Sequence, residues 1–261
     1  MAEERFRAGD GLQIVFEQWG DPAAPPVLLH HGFIADAHLN WVGPGFVDGL
    51  VGAGRRVIAL DARGHGRSDK PHDPAFYGEG RMAADVRALL DHLGLHEPAS
   101  VDLVGYSMGA IVSLLVAAGG EARLRRLAVG GVGRAVVTHG GVDTEKLPAH
   151  LLRDALLADD PQDPKVLAAP GVTRMRAFAD FVGADRQALA AQVAAVHAKP
   201  IALDEISVPT LVFAGIEDPL AQEPEKLAAA IPGARLLTVP GDHLTALRAP
   251  DLLPAVIDFL A

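Results

Sequence analysis

The chain contains no cysteine. That excludes disulfides, thiolate metal sites and a cysteine nucleophile, and it fits a reducing compartment. No basic run occurs, and the net charge is −10, with 23 Lys and Arg against 33 Asp and Glu. Nucleic acid and anionic membrane surfaces are therefore not expected partners. No apolar stretch reaches the roughly 18 residues of a membrane helix, and the first residues lack an apolar signal core. A soluble, cytoplasmic protein is expected. Internal repeats and low-complexity tails are absent. Asp61, Asp102 and the scattered histidines do not fall into a metal-ligand spacing, so neither a metal nor an organic cofactor is expected.

What is present is 261 residues, of which 49% are hydrophobic. This is enough for one large α/β domain, or for one domain with an insertion. Leu12 to Trp19 alternates apolar and polar residues, as an edge strand does. Short apolar runs at Val27–His30, Arg56–Leu60, Val101–Tyr106, Leu124–Val129, Pro209–Ala214 and Arg235–Val239 read as buried strands. Helical spacing separates them at Val47–Ala53, Arg81–Leu93, the stretch after Ser107, Glu223–Ile231 and Asp251–Leu260. Strands alternating with helices predict a mostly parallel sheet of about eight strands, with helices on both faces. From Arg134 to about Asp204 the alternation stops. Three helical patterns replace it, at Lys146–Ala158, Thr173–Val182 and Asp185–Ala198. The expected organisation is a core of residues 1–133 and 205–261, with a helical cap at 134–204 inserted after the sixth strand.

The most informative stretch is Val101 to Val112, where an apolar strand runs directly into a helix. Ser107 lies at the junction, with Gly105 two residues before it and Gly109 two after. This is the Gly-x-Ser-x-Gly nucleophile elbow. Side chains at the glycines would collide where strand and helix crowd together. The bend exposes the hydroxyl, and the positive end of the new helix points at whatever the hydroxyl attacks.

A serine needs a base near neutral pH, and a histidine oriented by a carboxylate supplies one. Of 11 histidines, His243 follows the last strand in a glycine-rich turn, at the end of the sheet where ligands bind. For the acid, Asp218, Glu217 and Asp242 compete, all of them after strands at the same end. Asp242 is adjacent to His243, so its carboxylate has difficulty reaching Nδ1. Acyl chemistry also needs donors where negative charge develops. The N–H of Met108 is one, and the N–H of Phe33, in the loop after the neighbouring strand, is the best second. The imidazoles of His30 and His31 are read as structural.

Together these motifs resemble the α/β-hydrolase fold superfamily, in particular its small esterase, lactonase and perhydrolase-like branch. The resemblance rests on His31-Gly32-Phe33, Asp61-x-Arg63-Gly64-x-Gly66-x-Ser68, Gly105-x-Ser107-x-Gly109, Gly215-x-x-Asp218 and Gly241-Asp242-His243. It covers Leu12 to Leu260. It implies a triad of Ser107, Asp218 and His243, an oxyanion hole from Phe33 and Met108, and a helical cap. The Asp61 to Ser68 motif is implied to be a structural loop. Relatives with an aspartate nucleophile are haloalkane dehalogenases or epoxide hydrolases, and Ser107 argues against both. The expected activity is hydrolysis of a small, mostly apolar carboxylic ester, lactone or thioester. The alternatives are cofactor-free perhydrolysis and a non-catalytic ligand receptor on the same scaffold. Trp41, Tyr106 and Phe178 are the expected substrate contacts, and a small acyl compound is the expected partner.

Overall fold

Short apolar runs with no alternation suit strands covered on both faces. The computed structural model describes residues 3–141 and 147–261. In it, six strands form the parallel part of an eight-stranded sheet: β3 (Pro26–His30), β4 (Arg56–Leu60), β5 (Val101–Tyr106), β6 (Leu124–Gly130), β7 (Thr210–Gly215) and β8 (Arg235–Val239). All residues of β5 and β7 are buried. The half-alternating β2 (Gln13–Trp19) joins β4 antiparallel, and β1 (Glu4–Arg7) pairs with β2 at the edge. β1 was not expected. Its Glu-Arg-Phe-Arg sequence has one buried residue, Phe6, and so carries no apolar run to read.

The strand order is β1-β2-β4-β3-β5-β6-β7-β8. The chain leaves β3 to one side to make β4, then returns on the other side to make β5. The loops after β3 and β5 therefore diverge, and the crevice between them is where such sheets bind ligands. His31–Phe33 and Ser107 lie at that crevice.

Helices cover both faces. One core packs α2 (Glu79–His92), α3 (Met108–Ala118) and α8 (Pro224–Ala230) on the sheet through residues such as Met82, Leu89, Val112 and Leu227. The opposite core packs α1 (Phe46–Gly52) and α9 (Leu252–Leu260) through Phe46, Leu50, Leu252 and Val256.

Between β6 and β7 the structure is helical, with α4 (Arg134–His139), α5 (Ala149–Leu157), α6 (Pro170–Phe181) and α7 (Arg186–Val193). The short α4 was not expected. The expected start of the next helix at Lys146 lies outside the described residues. α5 to α7 form a third core of their own, including Leu152, Leu156, Val172 and Leu189, and Ile34 from the loop after β3 joins it. Arg176 is buried within this layer. It donates to the carbonyls of Ala155 and Ala158 and pairs with Asp180.

Candidate active site

The elbow is built by close backbone approach. A Cβ at Gly109 would run into the His30 carbonyl, and one at Gly105 would meet the Gly109 carbonyl and Ser113 Oγ. With both positions bare, β5 and α3 meet at Ser107, which holds φ 56° and ψ −117°. This is a left-handed conformation that costs a non-glycine residue of order 1–3 kcal/mol. The Ser107 N–H donates to Gly130 O at 2.8 Å, which ties the bend to β6.

Ser107 Oγ lies 2.9 Å from His243 Nε2, and His243 Nδ1 lies 2.8 Å from Asp218 Oδ2. A carboxylate only accepts, so Nδ1 carries the proton. Nε2 is then the acceptor that faces the serine hydroxyl. Asp218 is buried, and its other oxygen accepts from the Leu220 N–H at 2.9 Å. The competing acids lie elsewhere. Glu217 is exposed. The Asp242 carboxylate caps its own turn, accepting from the Leu244 and Thr245 N–H groups and from Thr245 Oγ1. The hydroxyl of Tyr106 donates to the His243 carbonyl at 2.8 Å, and its ring packs 5.2 Å from the imidazole.

The loop after β3 comes so close that a Cβ at Gly32 would sit 3.2 Å from Ser107 Cβ. Three groups pin it. Asn40 Oδ1 accepts from the Gly32 N–H at 2.7 Å. Asp61 Oδ1 accepts from the Ala37 N–H at 3.0 Å. His31 donates from Nδ1 to the Gly32 carbonyl at 2.8 Å and accepts from the Ala62 N–H at Nε2 at 2.9 Å. The N–H groups of Phe33, the residue after Gly32, and of Met108, the residue after Ser107, have no protein acceptor among the described residues. Beneath the loop His30, His31 and His65 are fully buried, their centroids 5.2 to 5.7 Å apart in sequence. Burial pushes His30 and His31 down to about 4 and His65 to about 3, so all three stay neutral at pH 7. The Asp61–Ser68 segment is the other half of this brace. Arg67 donates to Asp61 from its N–H and its Nε, both at 3.0 Å.

Two cavities meet at Ser107. The smaller one, about 70 Å³, is lined by Phe33, Met108, Leu152, Met175, Val193 and other mainly apolar groups. The larger one, about 170 Å³, lies between Phe33, Asn40, Tyr106, Phe178 and His243. Of the expected substrate contacts, Tyr106 and Phe178 border the larger cavity. Trp41 does not. It is fully buried, 5.3 Å from Phe46 in the core under α1, because the helical turn His38–Val42 aims Asn40 at Gly32 and Trp41 inward. Phe181, at the end of α6, is exposed to solvent. His197 is half-buried and donates its N–H to Glu79. Sequence reasoning missed Asn40, Glu79 and Gln192. Glu79 lies in a Gly-Glu-Gly-Arg stretch that looks solvent-facing, and neither Asn40 nor Gln192 stands in a motif.

The family model described as alpha/beta hydrolase fold matches residues 25–170. A non-heme haloperoxidase from Rhodococcus erythropolis is 30% identical over 259 residues, covering 90% of each chain. Among solved structures, a hydrolase from Pseudomonas aeruginosa PA01 is 29% identical with a TM-score of 0.79, covering 99% of this chain and 98% of its own. An enol-lactonase from Burkholderia xenovorans LB400 is 26% identical with a TM-score of 0.76, covering 98% and 99%. Among the described residues, no helix is long and apolar enough to cross a membrane.

Proposed function

The chain belongs to the alpha/beta hydrolase fold family, and on that premise we propose that it is a serine hydrolase of short carboxylic esters, lactones or thioesters. The observation that carries this is the run of contacts from Asp218 through His243 to Ser107, 2.8 and 2.9 Å, together with the N–H groups of Phe33 and Met108, which have no acceptor among the described residues. Ser107 attacks the substrate carbonyl while His243 Nε2 takes its proton. The Phe33 and Met108 N–H groups receive the oxyanion. The alcohol leaves with the proton from His243, and water then repeats the sequence on the acyl-enzyme. Asp218 holds the tautomer and stabilises the imidazolium. The smaller, mainly apolar cavity takes the acyl group, the larger one takes the leaving group, and the α5–α7 layer serves as the lid.

The test is a panel of p-nitrophenyl esters of rising acyl length, with lactones and thioesters alongside. Ser107→Ala is expected to lower kcat by at least about 10³-fold and to abolish labelling by a fluorophosphonate. Near-normal hydrolysis by that variant would sink the proposal. The likeness to a haloperoxidase favours one second reading, in which hydrogen peroxide replaces water at the acyl-enzyme and releases a peracid. Peracid formed from acetate and peroxide, and lost in Ser107→Ala, would support it.

A further inference from the structure

Apart from Ser107, the smaller cavity has two polar side chains in its apolar wall. Glu79 is the first residue of α2, and Gln192 lies in the last turn of α7. They are 2% and 3% exposed. Glu79 is anchored at one oxygen, where Oε2 accepts from the His197 N–H at 2.6 Å. Gln192 turns its amide nitrogen toward the Met108 sulfur, a weak acceptor. Its Oε1 has no partner among the described residues.

An orphaned carbonyl oxygen is costly inside a protein. Leucine or methionine would complete this wall without that cost. Gln192 lines the cavity that also holds the reactive hydroxyl, so a ligand group there would meet its amide. Resting on the acyl role proposed for this cavity, we propose that the preferred acyl group carries a hydroxyl on its chain, received by Gln192 Oε1 and Glu79. The substrate class is then short hydroxyacyl esters and thioesters.

The alternatives fit the wall less well. A carboxylate on the acyl chain would find no cation among the lining residues, and the orphan it would meet, Gln192 Oε1, only accepts. An ammonium would need Glu79 charged, and burial raises that carboxyl toward its neutral form. A hydroxyl both donates and accepts, so it matches either orientation of the Gln192 amide. The volume also sets a limit. About 70 Å³ holds roughly five water-sized groups, which suits a short chain ending in one polar atom.

The experiment uses ethyl esters of linear hydroxy acids, with the hydroxyl moved from carbon 2 to carbon 5. Each is paired with the ester in which methyl replaces hydroxyl. Hydrolysis is followed by acid release. In the wild type, at least one hydroxy ester is expected to exceed its methyl counterpart about tenfold in kcat/KM. In Gln192→Leu that ratio should fall to about one or invert. Calorimetric binding of the same pairs to Ser107→Ala reads the cavity without turnover, and the same hydroxy ester should bind tighter. These two measurements decide the matter even where Gln192→Leu does not fold. If the methyl ester is preferred at every position in both, the hydroxyl site is wrong. A hydroxyl preference in binding to Ser107→Ala, with no turnover by the wild type, would keep the site and overturn the hydrolase reading.

Discussion

Tyr106 touches the proposed base at two points, and replacing it with phenylalanine separates positioning from substrate contact. Its hydroxyl donates to the His243 carbonyl at 2.8 Å, and no other group among the described residues reaches that carbonyl. Its ring lies between Phe213 and the imidazole, with centroids 6.1 and 5.2 Å away. Burial raises the phenol well above its ordinary value, so it remains a donor throughout the working range. Tyr106→Phe keeps the ring and removes one hydrogen bond, leaving a carbonyl without its partner. That costs about 1–2 kcal/mol of stability, a fall of several degrees in Tm. The turn holding His243 is then freer to move. A loss of about 1.4 kcal/mol in transition-state alignment is about tenfold in kcat. Steady-state hydrolysis of a short p-nitrophenyl ester should show kcat down by about that factor, with KM changed less than about twofold. A variant with unchanged kcat, or one whose whole effect is a higher KM, would refute the positioning role and return Tyr106 to the substrate wall.

Asn40→Leu should lower kcat about tenfold with a smaller change in KM, because Asn40 holds the Gly32 N–H and thereby the backbone that presents Phe33; wild-type kcat would refute it. Asp102 is fully buried at the start of β5 and accepts from Arg55 and Arg125. Asp102→Ala strands both cations and should cost about 3–5 kcal/mol in a urea titration, and a loss under 1 kcal/mol would be inconsistent with that. The three buried histidines predict acid sensitivity. Their pKa values are depressed on folding, from about 6.5 in the unfolded chain to about 4, 4 and 3. Between those limits the unfolded state binds more protons, so stability is full above pH 6.5 and is lost as pH falls through the window. Acting independently, the three would remove about 4 kcal/mol between pH 7.5 and 5.5, and equal urea midpoints at the two values would refute the argument.

The legible parts of this chain are those where local sequence decides the outcome. Seven of the eight strands announced themselves as apolar or alternating runs, and the elbow did so because its two glycines are demanded by backbone contacts a few residues away. Asp218 and His243 stood out as candidates because each comes soon after a strand, so the sheet itself carries them to one end, and the family resemblance favoured Asp218 over Glu217 and Asp242. What was not legible depends on direction rather than on type. Trp41 and Asn40 are neighbours in one turn. The aromatic residue was the natural candidate for a pocket wall and the amide was not, yet the turn points them the opposite way. Glu79 looked like a surface residue because nothing in its own segment reveals that the end of α7 folds over it. β1 was missed since it borrows its place from β2 rather than from hydrophobicity of its own.

That difference has a consequence for how the site should respond to mutation. Ser107, His243, Asp218, Phe33 and Met108 are held by the ends of strands and by the start of α3, in backbone positions set by the sheet. Much of the smaller cavity's wall has a different source, since Leu152, Met175, Gln192 and Val193 all belong to α5–α7. Those helices keep a core of their own, which Ile34 and Phe33 join, while Ala188 and Ala191 of α7 pack into the core around α2 and α3. Substitutions within that helical core can therefore reshape the cavity while leaving the 2.8 and 2.9 Å contacts of the proposed triad in place. Ala155 is fully buried there, and Ala155→Val adds two methyl groups to a closed layer, an overpacking that costs about 1–3 kcal/mol. The strain should appear as altered acyl-length preference across an ester series, while turnover of acetate, the smallest acyl group, changes least. A uniform loss across the series, acetate included, would mean that the helical layer and the sheet-end residues act as one unit.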